Sequence, residues 1–246
     1  MAEHPPIEAY EALDSTNAEA RRRAEAGEAG PVWITAAVQT AGRGRRGRAW
    51  STRKGNLAAT LLTVTDVPAA EAAQLSFVAA LAACDLADAC LGEGTARLKW
   101  PNDVLIHGRK AVGILVESGA RPDGRLWLAV GIGVNLAHAP QDVERPAAAF
   151  AEYMAGPPPE PRAALEVLAA AFERWRRTWA AGGFAPIAQA WTARAMGLGE
   201  RCEARLPGRT LAGVAEALDS DGALRLRLDD GSLERITAGD VFFGGV

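Results

Sequence analysis

Apolar and polar positions along the chain change period several times, and the changes mark out elements. Ile7 to Leu13 reads as a short strand. Asp14 or Ser15 then caps a helix predicted to run to about Ala26 and end near Gly27. "VWITAAVQT" (Val32 to Thr40) and "NLAATLLTVT" (Asn56 to Thr65) are strand-like. Ala69 to Leu91 reads as one long alanine-rich helix, with Leu75, Val78 and Leu81 among its apolar positions. Four extended pieces follow: "ARLKW" to Trp100, "DVLIH" after it, "AVGILVES" to Ser118 and "LWLAVGIGV" to Val134. Turns such as "PDG" separate some of them, as in hairpins. After the break "GPPPEP", Leu165, Leu168, Phe172, Trp175 and Trp179 recur at spacings of three and four and form one helix face. A further helix is predicted over Phe184 to Met196. Beyond "GLGE" the runs become short and alternating, with "DSDG" and "DDG" turns, which predicts a small five-stranded barrel of the SH3-like kind. The expected division is residues 1–197 and 198–246.

Composition narrows the class. The 246 residues are 49% hydrophobic and 23% charged, enough for a sizeable core and ordinary for a folded chain. A formal charge of -3 argues against a protein that coats nucleic acid with its whole surface. Three cysteines, none in a CxxC, predict neither a disulfide framework nor a zinc site. "MAEHPPIEAY" lacks the basic start and apolar run of a signal peptide. Asp85 and Asp88 interrupt the most apolar helix, which therefore reads as buried and not as a membrane span. A cytoplasmic protein is expected.

Charge is unevenly placed. "AGRGRRGRAW" packs Arg43, Arg45, Arg46 and Arg48 between Gly42, Gly44 and Gly47. No acidic residue occurs between Glu28 and Asp66, whereas six basic ones lie from Arg43 to Lys54. The loop literally fits the GxGxxG of a dinucleotide site. Only eight residues separate Gly47 from Asn56, however, too few for the crossover helix that motif requires. Glycines allow close backbone approach, and guanidinium forks with successive N–H groups suit carboxylate and phosphate oxygens. An anion-binding loop between two core strands fits better than a solvated basic arm.

Rare residues point to the same region. Only Lys54, Lys99 and Lys110 stand against 24 arginines, and only Asn17, Asn56, Asn102 and Asn135 represent asparagine. Lys99 in "KWPND" and Lys110 in "GRKAVGILVE" read as lying on adjacent strands. Asn102 and Asp103 follow Pro101 at a turn, and Asn135 closes a strand after two glycines. Taken singly, each of these asparagines also reads as an ordinary turn or cap residue.

Taken in order, "DSTN", "QTAGRGRRGRAW", "KWPND", "GRKAVGILVE" and "GIGVN" resemble the biotin–protein ligases (biotin–acetyl-CoA-carboxylase ligases) across most of Asp14 to Leu136. The C-terminal strands resemble that family's too. Arg53, Lys54 and Ala58 depart from its pattern, which touches loop packing more than chemistry. The resemblance implies an α+β catalytic core, a mixed sheet backed by helices, of the class II aminoacyl-tRNA synthetase/biotin-ligase type. It implies two half-reactions. Biotin and ATP give biotinyl-5'-AMP and pyrophosphate, and the biotinyl group then passes to one lysine of a biotin carboxyl carrier domain.

By the same resemblance, Ser15, Thr16, Asn17, Gln39, Gly42, Arg43, Gly44, Arg45, Lys110 and Gly113 match biotin-binding positions. Arg45, Arg46, Arg48, Trp50, Lys99, Asn102, Lys110, Gly133 and Asn135 match ATP or adenylate positions. Arg45, Lys99, Asp103 and Lys110 carry the chemistry, and Asp103 is a candidate Mg²⁺ ligand or the group that orients the acceptor lysine. Gly131 with Gly113 and Gly133 is expected to keep the pocket floor low. A homodimer is compatible with the family; a nucleic-acid partner and a membrane are not expected.

Three rivals are a lipoate–protein ligase of the same fold, a nucleic-acid-binding module built on the basic loop, and a ligase-like protein that has lost catalysis. "KWPND" and the arginine loop favour biotin, and the intact set Arg45, Asp103 and Lys110 favours an active enzyme. Fourteen residues before "STN" are too few for the helix-turn-helix domain of repressor relatives, so no operator binding is expected. The loop is expected to act as a lid that orders over its ligands. Trypsin cleavage near Arg45 should therefore slow when biotin and ATP are added; equal rates with and without them would remove the lid.

Overall fold

A computed structural model describes residues 4–141, 143 and 146–244. Seven strands form one mixed sheet: β1 (Ile7–Leu13), β2 (Val32–Gln39), β3 (Leu57–Thr65), β4 (Ala96–Lys99), β5 (Asp103–Ile106), β6 (Arg109–Ala120) and β7 (Leu126–Val134). Their order is β1-β2-β3-β7-β6-β5-β4, with β1 and β2 parallel and every other pair antiparallel. Because strand side chains alternate between faces, neighbours in sequence enter different cores. Trp33 joins the large cluster, while Val32 and Ile34 join a smaller one. The same alternation separates Leu61 from Leu62 and Leu128 from Trp127.

Helix α1 (Thr16–Glu25) covers the smaller cluster through Ala20 and Ala24. Of the two expected caps, Asp14 and Ser15, it is Ser15 that serves, its hydroxyl accepting from the Ala18 N–H. The opposite face carries the main core, built by α3 (Leu75–Leu91) and α4 (Pro161–Gly182), with α5 (Phe184–Arg194) packed beside them. The helix expected over Ala69 to Leu91 is two pieces, a short α2 (Ala69–Ala72) preceding α3. Successive three-residue turns at Gln74, Ser76 and Phe77 tighten the backbone there. The Gln74 side chain meanwhile accepts from the Trp179 indole at 2.8 Å. By length and composition alone Ala69–Leu91 would cross a membrane, but 67% of its most apolar window is buried within the protein. Asp85, whose charge broke that run, accepts from Arg194 and the Trp175 indole at the edge of the core.

The C-terminal strands are β8 (Arg201–Leu206), β9 (Arg209–Leu218), β10 (Leu224–Leu228), β11 (Leu233–Ile236) and β12 (Asp240–Phe243). They form a separate antiparallel sheet in the order β11-β10-β9-β8-β12. Among the described residues no pairing of β11 with β12 closes it, so the expected barrel is seen as a five-stranded sheet. It is joined to the core by the Trp100 indole, which donates to the Gly222 carbonyl at 3.0 Å.

Lys99 and Lys110 do not lie on adjacent strands. Lys99 ends β4, Lys110 is in β6, and β5 stands between them. The piece "DVLIH" forms β5 and pairs with both β4 and β6 through two tight hairpins, keeping the lysines' strands apart.

Phe172 is 1% exposed and meets Trp33 edge-on at 5.7 Å, tying α4 to β2. Phe172→Ala should cost about 3–5 kcal/mol of stability by urea denaturation, with an unchanged slope.

Candidate functional site

The strand ends of β2, β3, β6 and β7, the start of α1 and the arginine loop enclose a cleft of about 1480 Å³. Its floor is made by missing side chains. Gly113 and Gly133 oppose each other across β6 and β7, and the Trp50 indole lies over both. A Cβ at Gly113 would come 2.7 Å from the ring, and one at Gly133 would overlap it. Gly131 similarly makes room for the Asn17 amide. The low floor expected from these glycines therefore exists, and it is filled by two pocket residues.

Trp50 is placed by the loop itself. Its N–H donates to the Gly42 carbonyl at 2.9 Å, so the loop folds back on its own start. A Cβ at Gly42 would collide with the Trp50 carbonyl, which explains that glycine without ligand contact. Between them the chain makes a single 3-10 turn, Arg45–Gly47, and β2 and β3 on either side are antiparallel neighbours. This geometry excludes a dinucleotide turn, which joins parallel strands through a helix.

One end of the cleft is polar and uncharged. Gln39 Oε1 accepts from the Thr16 N–H at 2.8 Å, and Gln39 Nε2 donates to Thr52 Oγ1 at 2.9 Å. Asn17 Nδ2 donates to Glu117 at 2.8 Å and faces the Leu115 carbonyl at 3.3 Å. Ser15, Thr16 and Asn17 are all buried, at 4%, 4% and 3% exposure.

The other end is cationic, and most of its charges have a protein partner. Lys110 Nζ lies 2.6 Å from Asp103 and 5.7 Å from the Trp50 ring. Arg45 donates to Asn102 Oδ1 at 3.1 Å and to the Gly239 carbonyl at 3.2 Å. Burial pulls its guanidinium below the ordinary range, with Asp240 and Asp103 opposing that shift. Arg46 and Arg48 both reach Asp240, at 3.1 and 2.7 Å. Arg43 instead reaches Glu117, at 3.2 Å, the carboxylate that also holds Asn17 at the polar end. Lys99, 8% exposed, sits 5.6 Å from the Phe242 ring.

Most expected residues line this one cleft: Ser15, Thr16, Asn17, Gln39, Arg43, Gly44, Arg45, Arg48, Trp50, Asn102, Asp103, Lys110, Gly113, Gly131, Gly133 and Asn135. Gly42, Arg46 and Lys99 are not on its wall; Gly42 packs against Trp50 and Arg46 pairs with Asp240, both of which are, whereas Lys99 lies beside Phe242. Asn135 is 2% exposed and its amide donates to the Ala148 carbonyl at 3.1 Å, so its Nδ2 is engaged within the protein. Among the described residues no group of three or more His, Cys, Asp or Glu is placed to hold a metal ion.

Sequence reasoning missed Thr52, Thr60, Asp240 and the part played by Asn56. Asn56 accepts from the N–H groups of Ala137 and His138 and donates to the His138 carbonyl at 2.7 Å, fixing one rim. Its rarity was the available signal. Glu117 stood inside a quoted motif without an assigned role. Asp240 has no local signal, because its partners are 192 and 194 residues away.

The arrangement defines a class: an α+β protein whose cleft joins a neutral hydrogen-bonding end to a cation-rich end. Residues 11–136 match the biotin/lipoate A/B protein ligase family, and residues 197–244 match the biotin protein ligase C terminal domain. The chain is 47% identical over 243 residues to a biotin--[acetyl-CoA-carboxylase] ligase of Paracoccus denitrificans, spanning 94% of this chain and 98% of that one. It is 32% identical over 239 residues to the bifunctional ligase/repressor BirA of Bacillus subtilis (strain 168), spanning 96% of this chain and 73% of that one. Its fold matches the Aquifex aeolicus biotin protein ligase in complex with biotin and ATP, with a TM-score of 0.77 at 24% identity over 96% and 97% of the two chains. It matches the Leishmania major biotin protein ligase in complex with biotinyl-5-AMP, with a TM-score of 0.66 at 26% identity over 95% and 99%. The chain belongs to the biotin/lipoate A/B protein ligase family.

Gly133→Ala should displace the Trp50 indole, seen as a changed near-ultraviolet circular dichroism band. Gly44→Ala, whose Cβ would meet nothing nearer than 3.8 Å, should leave that band as it is.

Proposed function

We propose that this chain is an ATP-dependent biotin–protein ligase acting on a lysine of a biotin carboxyl carrier domain. The observation that carries the reading is the Lys110–Asp103 pair at 2.6 Å, set between the polar end and the arginine loop of one cleft.

The chemistry requires two anions to meet. A carboxylate oxygen of biotin attacks the α-phosphorus of ATP, the bond to the β-phosphate breaks, and pyrophosphate leaves. Each pair of unit charges about 4 Å apart costs roughly 4 kcal/mol at an effective dielectric near 20. Lys110 and Arg45 are placed to offset that cost at the carboxylate and α-phosphate. Arg48 faces the cleft beside them, and Arg46 is held behind by the same carboxylate. Trp50 offers a ring edge and face to the adenine, and the Asn135 carbonyl side is the one left to meet its amino group.

Asp103 orients Lys110 in this reading. The donor set does not fit a resident Mg²⁺, since Asp103 is committed to Lys110 and no third ligand gathers with it among the described residues. Magnesium enters as part of the MgATP substrate. In the second step the acceptor amine attacks the acyl carbon, the bond to AMP breaks, and the amine proton passes to a base. Asp103, still paired with Lys110, is read as orienting that amine.

Residues 198–246 are read as the second domain, a small SH3-like barrel, on the strength of five antiparallel strands in short hairpins. A reducing, cytoplasmic setting is supported by Cys84, Cys90 and Cys202, all present as free thiols.

Incubation of the protein with biotin, MgATP and a carrier domain should add one biotinyl group to a single carrier lysine, read by mass spectrometry. Lys110→Ala should reduce the rate by about 10³-fold or more. A carrier of unchanged mass with wild-type protein would overturn the assignment.

A further inference from the structure

Thr60 is fully buried on β3, behind the polar end of the cleft, and does not line it. Its hydroxyl lies 2.7 Å from Asn17 Oδ1 and 2.8 Å from Thr16 Oγ1. It carries one proton for two neighbours, so the direction of that proton has to be fixed by something else.

The surrounding acceptors fix it. Asn17 faces the Glu117 carboxylate and the Leu115 carbonyl on one side, and both only accept. Nδ2 must point there, so Oδ1 points at Thr60. Oδ1 also only accepts, and the Thr60 proton goes to it. Thr60 then has a lone pair for Thr16. The Thr16 proton has two acceptors in reach, Thr60 Oγ1 at 2.8 Å and, less closely, Gln39 Oε1 at 3.1 Å, which also accepts the Thr16 backbone N–H at 2.8 Å; on either partner it is held within the protein. Thr16 is left presenting a lone pair to the cleft it lines.

We infer that Thr60 is a positioning residue that sets this end of the cleft to accept a hydrogen bond, and so selects a ligand bearing an N–H donor. This rests on the biotin reading and deepens it. A cyclic urea supplies N–H groups; the dithiolane of lipoate supplies none and would leave Thr16 unpaired. Sites built to hydrogen-bond a ligand reject the analogue lacking the group far more strongly than apolar pockets reject a missing methylene. Glu117 anchors the polarity from outside the cavity wall, through Asn17, while also holding Arg43.

The test is biotin binding by calorimetry, together with the ATP dependence of biotin-dependent pyrophosphate–ATP exchange. Thr60→Val should raise the Kd for biotin by about tenfold or more, the loss of one to two hydrogen bonds at a buried site. The KM for ATP should stay within about twofold, and Thr60→Ser should restore biotin affinity. If Thr60→Val does not fold, Thr60→Ala carries the same expectation without the added methyl. Unchanged biotin affinity in these variants overturns the inference. So does a parallel rise in the biotin and ATP constants, which is what a purely structural role would give. Wild-type protein that binds no biotin overturns the functional reading itself, a result separate from either.

Discussion

The site depends on holding like charges close together. Arg45, Arg46, Arg48 and Lys110 gather at one end of the cleft, with Lys99 nearby and Arg43 towards Asn17, in a chain that is acidic as a whole. Their repulsion would drive the loop into solvent if nothing opposed it. Three carboxylates do, two from the neighbouring strands β5 and β6 and one from β12: Asp103 at Lys110, Glu117 at Arg43, and Asp240 at Arg46 and Arg48. Each takes only part of a cation's donor capacity, since a guanidinium has five N–H groups. Charge is held in place while donors remain to face a substrate.

The rest of the cleft follows from giving up side chains. A glycine pair on two neighbouring strands admits an indole, and a third glycine admits an amide. These groups then lie close to the sheet, where backbone geometry is stiff. The positions of Trp50 and Asn17 are consequently set by β6 and β7 as well as by the loop and helix that carry them. Function that sequence places on a flexible loop is thereby referred to a rigid surface.

Most of the sheet and helices were legible, because each strand alternates and each helix repeats at its own period. The same was true of the residues gathered in the cleft, which carry the ordered motifs. Relations between elements were not legible. Lys99 and Lys110 seemed to be on neighbouring strands because the separate runs "ARLKW", "DVLIH" and "AVGILVES" do not say which pairs with which. Ala69–Leu91 looked continuous because tight turns at Gln74 leave no mark in an alanine-rich run. Thr60 looked like any buried strand threonine, since its meaning lies in partners 43 and 44 residues away. Asp240 looked no different from Asp229 or Asp230. Hydrogen-bond direction is a property of a closed network, and no local pattern encodes it.

The partnership between Arg48 and Asp240 spans 192 residues, and this has a consequence for synthesis. Translation at about 5–20 residues per second leaves roughly 10–40 s between the two. Throughout that interval a polybasic stretch has emerged and its last counterion has not. Arg46 and Arg48 reach their folded positions only once Asp240 has been made, so the arginine loop is among the last parts of the cleft to be fixed.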